Sequence, residues 1–217
     1  MRDYNPAQFR QLEAAKERID PADLRESLLV AAVFQETNRQ RADCGLPAFL
    51  PDERASAAAR LHARWMARTH LLSHDEPSSQ GTPITSYDRL VRQGRRPHLA
   101  AENIAYNLVP DITPGRLFYT RLEKGRPVYS YRSEGPSLLT HTYHDFARAV
   151  VAQWMRSPPH RAHIVDPELR FLGIGVALAH RQKHPDTIYV AQDFFTPHAD
   201  SSGPAISNTA TTLIQRR

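Results

Sequence analysis

Cysteine is almost absent from this chain of 217 residues, in which Cys44 is the single thiol. One cysteine cannot form a disulfide within the chain, so the compartment is reducing or the fold needs no cross-links. A chain of this length buries an ordinary hydrophobic core without such help. Composition therefore points to one globular domain with additions rather than to a small disulfide scaffold.

Long hydrophobic runs are also missing. No stretch approaches the ~20 apolar residues that a transmembrane helix needs. The opening segment, MRDYNPAQFRQLEAAKERID, lacks the apolar centre of a secretory signal peptide. We expect no membrane span and no export signal in this sequence.

A dense basic run is absent too, although the formal charge is +5, from 28 Lys and Arg against 23 Asp and Glu. Mild basicity would suit nucleic acid, anionic lipid or a cell-wall polymer. Because the basic residues are scattered, an ordinary solvated surface is the preferred interpretation, and we expect no nucleic-acid partner.

Start signals and apolar spacing predict four helices. The first starts with Asp20 as cap and Pro21 at the first helical position, and Gly45 ends it. The second covers LPDERASAAARLHARWMARTH, and the third lies around residues 86–93. The fourth is HTYHDFARAVVAQWM, with a box-like start at its threonine and first aspartate. The second helix places four residues on one face: Ala55, Ala58, His62 and Trp65.

Short apolar runs rich in β-formers predict a hairpin of strands at 171–179 and 187–195. The segment RPHLAAENIAYNLVP is predicted to be a further strand or a buried turn. Helices come first and the hairpin last, without βαβ alternation, so an α+β domain with an antiparallel sheet is predicted. Residues 108–141, rich in proline and glycine, form a loop or a strand-bearing insertion.

The ends of the chain differ from its middle. Residues 1–19 are predicted to be a helical or flexible extension, and residues 20–197 form the domain. Residues 198–217 contain few large apolar side chains, so a disordered tail is expected there.

Four places combine ionisable side chains with an irregular or apolar setting. They are His74 before Pro77; Glu102 and Asn103 in an apolar run; Ser157, His160, Arg161 and His163 around a double proline; and Gln192 with Asp193 in the last strand. Each has a plain alternative, because histidines are commonly surface residues and a buried carboxylate commonly serves the backbone. No HExxH or GxSxG motif is present, so chemistry alone predicts a cleft for a divalent metal or a polar ligand.

The order and the amino-acid sequences of these segments resemble the CAP superfamily, which includes cysteine-rich secretory proteins, antigen 5, plant pathogenesis-related proteins and bacterial SCP-like domains. The resemblance covers about residues 28–196, through NRQRADCGLP, SHDEP, DRLVRQG, AENIAYN, WMRSPPHRAHI, LGIGVALA and IYVAQDFF. AENIA together with WMRSPPHR is the specific pair of motifs.

The resemblance implies a three-layer α-β-α sandwich with a central antiparallel sheet and a cleft of two histidines and two acids. By position, His74 and His160 are the histidines and Glu102 is the first acid. Ser157 stands where the second acid is usual. His163 replaces a usual asparagine and either adds a third imidazole or, as we prefer, replaces its hydrogen bond. The resemblance leaves Arg161 a scaffold role in an ion pair.

Two functions follow as hypotheses. The first is a binding module that holds a divalent ion, zinc above all, through His74 and His160, with Glu102 as an orienting residue or a direct ligand and with Asn103, His163 and Gln192 as accessory residues. Its further ligand would be a lipid, a glycan or a protein. The second is a hydrolase of peptides or esters, with Glu102 as general base or Ser157 as nucleophile. The family is largely exported, whereas the expected lack of a signal leaves a cytoplasmic location open.

Overall fold

The computed structural model describes residues 5–123, 125–180 and 184–198. Within them the helices are α1 Pro6–Gln11, α2 Glu13–Lys16, α3 Glu26–Asp43, α4 Glu53–Thr69, α5 Ser86–Arg92, α6 Tyr143–Arg156 and α7 Pro158–Ile164. The strands are β1 Leu50–Pro51, β2 Pro97–Leu108, β3 Tyr119–Glu123, β4 Arg126–Ser130, β5 Phe171–Ala179 and β6 Thr187–Pro197. None of these helices combines the length and the hydropathy that a membrane crossing requires.

The central sheet has the strand order β1-β5-β6-β2. Strands β5 and β6 form the predicted antiparallel hairpin, and β2 runs antiparallel to β6 along its other side. The two residues of β1 pair with β5 in parallel, so the sheet is mixed although its long strands are antiparallel. Strand β2 confirms the strand alternative for the AENIA segment and lies at the edge of the sheet.

Helices cover both faces of this sheet, which confirms the predicted α+β class and its three layers. On one face, large side chains of β5 and β6 such as Ile174 and Phe194 pack with α3 and with Trp154 of α6. On the other face, Ala177 and Ala191 pack with the small residues of α4. The division follows from the strand period of two, which sends alternate side chains to opposite faces.

Helix α4 lies unusually close to β5 because two glycines face it. A Cβ atom on Gly173 would stand 2.1 Å from the main chain of Ala55, and one on Gly175 would stand 2.1 Å from that of Arg60. No side chain fits at such a distance. The two glycines therefore set the spacing between the helix and the sheet.

The observed helix starts agree with some of the predicted N-cap residues and disagree with one. Asp52 caps α4 by accepting from the Ala55 N–H at 2.8 Å, and Thr142 caps α6 as predicted. The predicted start at Asp20 is wrong, since α3 begins at Glu26. The Asp20 carboxylate instead accepts from the Ala22 N–H at 2.9 Å and closes a turn before the helix.

The double proline has two roles. Helix α6 ends at Arg156, as predicted for a proline stop. However, Pro158 and Pro159 also occupy the first positions of α7, where a missing N–H costs nothing. The segment after the break is therefore a second, short helix.

The segments outside the sandwich differ in how they attach to it. Phe9, Ala15 and Ile19 near the N-terminus are buried in the same core as α3 and α6. Strands β3 and β4 of the insertion pair with each other in a separate two-stranded sheet. The predicted tail, from residue 199 onward, lies outside the described residues.

Candidate functional site

The edge strand β2 carries two adjacent polar residues that face opposite sides of the sheet, as the strand period requires. Glu102 lies on the side of α4 and α5, and Asn103 lies on the side of α7. Both are buried, at 5 % and 0 % exposure. The two sides of the candidate site therefore meet around a single strand edge.

Glu102 anchors His74, which lies in the connection between α4 and α5. The imidazole Nδ1 of His74 is 2.7 Å from Oε2 of Glu102, and since a carboxylate only accepts, Nδ1 is the donor. Arg89 of α5 donates to Oε1 of Glu102 and also to the main-chain oxygen of His74, at 3.0 Å. The side chain of His74 is nevertheless 53 % exposed, so its Nε2 edge is open to solvent.

Behind Glu102 lies a second, fully buried imidazole, that of His62 on α4. Its Nδ1 is 2.7 Å from a Glu76 carboxylate oxygen and its Nε2 is 2.9 Å from the main-chain oxygen of Ser73. Each ring nitrogen of His62 therefore has an oxygen as its hydrogen-bond partner. The ring also stacks on Trp65, with centroids 5.6 Å apart and planes at 9°.

Asn103 joins the sheet to α7 on the other side. Its Nδ2 donates to the main-chain oxygen of His160 at 3.1 Å and to Oε1 of Gln192 at 3.2 Å. Its Oδ1 lies 2.9 Å from Nδ1 of His163. Gln192 in turn donates to Thr37 of α3 at 2.7 Å. This chain of bonds, which includes the His163 ring, holds α7 against the strand edge.

His160 has its own orienting partner within α7. Nδ1 of His160 is 2.8 Å from the hydroxyl of Ser157. The residue that stands at the usual place of an acid therefore contacts the second histidine. Trp154, just before, donates from its indole nitrogen to the main-chain oxygen of Ile104 at 3.1 Å and ties α6 to the same strand edge.

The electrostatics set the three cleft histidines apart. The hydrogen bond to Glu102 raises the pKa of His74 above its ordinary value. Burial lowers the pKa of His160, and the positive charge of His74 lowers it further. Burial also lowers the pKa of His163, and the positive charge of His74 lowers it further. The hydrogen bond with the main chain of Glu102 acts in the opposite direction and raises this pKa. The charge of His74 therefore lowers the pKa of both histidines of α7.

The pKa of Glu102 itself is lowered. Burial alone would raise it, but the hydrogen bond from His74 and the positive charge of Arg89 outweigh the burial. Glu102 is therefore a carboxylate with both oxygens occupied.

The structure thus joins His74 to Glu102 on one side of β2. On the other side it joins His160, His163 and Gln192 to Asn103. Sequence reasoning did not include His62, Glu76 or Arg89 in the site, because each lies on a different segment of the chain. For His62, the spacing along α4 predicted only that it shares a face with apolar residues. Arg161 is exposed, and among the described residues it has no ion-pair partner, so its predicted scaffold pairing stays a prediction. Within the described chain, no group of three or more His, Cys, Asp or Glu side chains is arranged to hold a metal ion.

Comparison with known proteins gives one family and a set of folds. The model of the cysteine-rich secretory protein family, CAP, matches residues 34–194. No curated protein matches the chain.

Solved structures with a similar fold come from bacteria. An extracellular protein containing an SCP domain from Bacillus anthracis strain Ames has a TM-score of 0.51 at 22% identity, with 78% of this chain and 41% of that chain covered. A cysteine-rich secretory protein from Staphylococcus aureus has a TM-score of 0.45 at 12% identity, covering 79% and 39%. An outer surface protein from Borrelia burgdorferi has a TM-score of 0.48 at 15% identity, covering 83% and 99%. This chain thus spans about two fifths of the first of these proteins, and the likeness shows the fold alone.

Proposed function

Because the chain belongs to the cysteine-rich secretory protein (CAP) family, we propose that it is a binding module whose cleft holds a divalent metal ion, zinc above all, between His74 and His160. The ion would present open positions to a lipid, glycan or protein ligand. The observation that carries this proposal is the matched orientation of the two rings. In each, Nδ1 is held by an oxygen, of Glu102 or of Ser157, and Nε2 remains for a ligand.

The donor set fits such an ion in part. An orienting oxygen on the second ring nitrogen is the usual environment of a histidine that binds a metal. A lowered pKa favours the neutral form of His160 that a ligand needs, whereas the raised pKa of His74 means that a metal ion would displace a proton from that ring. The proposal counts two protein donors, and the other positions would belong to water, to the ligand or to Nε2 of His163, whose Nδ1 is held by Asn103 in the same way. Glu102 orients His74 and is not itself a ligand in this proposal, because both its oxygens are occupied.

Zinc titration of the metal-free protein by calorimetry at neutral pH tests the proposal. We expect a binding heat in the wild type that the double variant His74→Ala/His160→Ala abolishes. Loss of the orienting hydroxyl in Ser157→Ala should weaken binding by about 10- to 100-fold. His180→Ala is the matched control, since His180 pairs with Asp186 outside the cleft and should leave the heat unchanged. Equal heats in the wild type and the double variant would refute the metal site.

One observation favours the hydrolytic alternative. A serine hydroxyl at hydrogen-bond distance from an imidazole is the first element of a nucleophile and base pair, and Ser157 and His160 form one. Among the described residues, however, no carboxylate orients His160, and each oxygen of the buried Glu102 already accepts a hydrogen bond, from His74 or from Arg89. We therefore expect no turnover in an ester and peptide panel. Turnover that Ser157→Ala removes would establish the hydrolase instead.

A further inference from the structure

Asp193 is the one buried carboxyl of the described chain that receives no hydrogen bond. It lies in β6, is 0 % exposed, and neither of its oxygens has a donor among the described residues. Burying an ionised carboxylate without donors is strongly unfavourable. Asp193 therefore needs either a hidden donor or a proton of its own.

Another carboxyl, that of Glu102, lies beside Asp193. Glu102 stands directly opposite in the register of β2 and β6, and the two side chains are within hydrogen-bonding reach. Two ionised carboxylates cannot bond, because both only accept. A single proton between them turns the repulsive contact into a hydrogen bond.

The charges around the pair leave no place for a further negative charge. The groups that face it are His62 from α4, Arg89 from α5, and Glu76 and His74 from the connection between those helices. Arg89 and His74, whose pKa is raised, balance Glu76 and Glu102. An ionised Asp193 would add an uncompensated charge at full burial.

The contacts also decide which carboxyl carries the proton. Glu102 receives hydrogen bonds from His74 and Arg89, and they favour its ionised form. Asp193 has neither, and burial together with the Glu102 charge raises its pKa well above the ordinary value.

We propose that Asp193 is protonated at neutral pH and donates its O–H to Glu102, so that a carboxylic acid fixes the carboxylate that orients His74. Asp193 is thus a positioning residue for the cleft. The positioning role rests on the proposed function of the cleft, whereas the protonation state does not depend on it.

Carbon-13 NMR of aspartate-labelled, metal-free protein tests the protonation state directly. We expect one carboxyl carbon to keep the chemical shift of a protonated acid from about pH 5 to about pH 8. That signal should be missing in Asp193→Asn. A wild-type spectrum in which every aspartate carboxyl is ionised at neutral pH overturns the proposal, whatever zinc titration shows.

The pKa of His74 in Asp193→Asn gives a second, independent readout. Asparagine is neutral and donates from its amide, as the protonated acid does, so the His74 pKa should stay where it is in the wild type. If Asp193 were ionised, the substitution would remove a nearby negative charge and the His74 pKa would fall. Asp193→Ala, which has no donor, is the contrasting variant and should not reproduce the wild-type titration.

Stability against pH gives the third readout. A carboxyl whose pKa is higher in the folded than in the unfolded chain holds a proton that unfolding releases, so stability falls as the pH rises between about 3.9, the unfolded pKa, and the folded pKa. Asp193→Asn lacks this proton. Its unfolding constant relative to the wild type should therefore decrease by up to about tenfold per pH unit across that window. A ratio that does not change with pH contradicts a protonated Asp193.

Discussion

The side chain of Glu102 is almost completely buried, yet it orients the half-exposed ring of His74. One oxygen accepts from His74 and the other from Arg89, which also holds the main chain of His74. A loop residue therefore takes its orientation from the rigid sheet. Such second contacts commonly decide whether a histidine is available to a ligand.

Glu102→Gln should lower the pKa of His74 in the metal-free protein. The amide keeps an oxygen toward the ring but removes the negative charge, and the bond to Glu102 is the largest cause that raises this pKa. An NMR titration of the imidazole Cε1–H signals measures the change. Asp75→Asn is the matched control, because Asp75 contributes the least among the causes. Equal shifts in both variants would contradict the role given to Glu102.

At the scale of elements, the fold positions the site by fastening helices to one strand edge. Trp154 bonds the main chain of Ile104, and Asn103 bonds the main chain of His160. Helix α7 has only seven residues, so its own hydrogen bonds could not hold it in place. Its position depends on these contacts with β2.

Asn103→Ala should therefore destabilise the protein and loosen α7 in particular. Each buried partner left without its hydrogen bond costs about 1–3 kcal/mol. Urea unfolding measures the total, and amide hydrogen exchange over residues 158–164 reports the helix. Asn107→Ala on the same strand is the control, because the side chain of Asn107 bonds only the neighbouring Leu108 N–H. Equal exchange in α7 of both variants would contradict the docking role of Asn103.

The close contact of α4 with β5 predicts the sign of a glycine substitution. Without a clash, Gly→Ala stabilises a chain by about 0.4–1 kcal/mol through the unfolded state. At Gly175 the new Cβ would meet the α4 main chain, so we expect Gly175→Ala to destabilise by about 1–3 kcal/mol. Denaturant unfolding measures the change. At Gly135 the neighbour would be the Arg132 Cβ at 3.1 Å, and Gly135→Ala should stay within about 0.5 kcal/mol. A stabilised Gly175→Ala would show that the contact is not close.

At the scale of the whole molecule, the segments that attach to the sandwich should differ in importance. The main-chain contact from the Asp111 N–H to the Leu139 oxygen, at 2.9 Å, brings the two ends of the insertion together. Replacing residues 113–137 by a two-residue turn should therefore leave the protein folded and the His74 pKa unchanged.

Removing residues 1–18 is the comparison. That truncation deletes Phe9, which is buried in the main core. The loss of one buried Phe side chain alone costs about 1.5–3 kcal/mol, so we expect a lower thermal midpoint by calorimetry. If replacing residues 113–137 lowered the thermal midpoint as much as removing residues 1–18, the β3–β4 hairpin would not be separate from the main core.

How far the sequence predicts the molecule depends on the range of the interactions. Patterns that act within one element gave α4, α6 and the β5–β6 hairpin, because periodicity and caps are local. Asp20 misled, since an aspartate before a proline closes a turn as readily as it caps a helix. The network of His62, Glu76 and Arg89 joins separate segments through buried contacts, and no spacing in the sequence reports it. Chemistry alone marked His74, Glu102 and His160 among several candidate residues, and the family resemblance assigned these three to one cleft.

The two tryptophans of the chain stand on opposite sides of the same strand edge. Trp65 stacks on His62. Trp154 donates a hydrogen bond from its indole nitrogen to the main-chain oxygen of Ile104. Indole emission responds to a neighbouring charge and to the polarity of its surroundings, so the molecule contains a built-in optical probe for each face. Trp65→Phe and Trp154→Phe would separate the two signals, and events at the histidines could then be followed by light without a label.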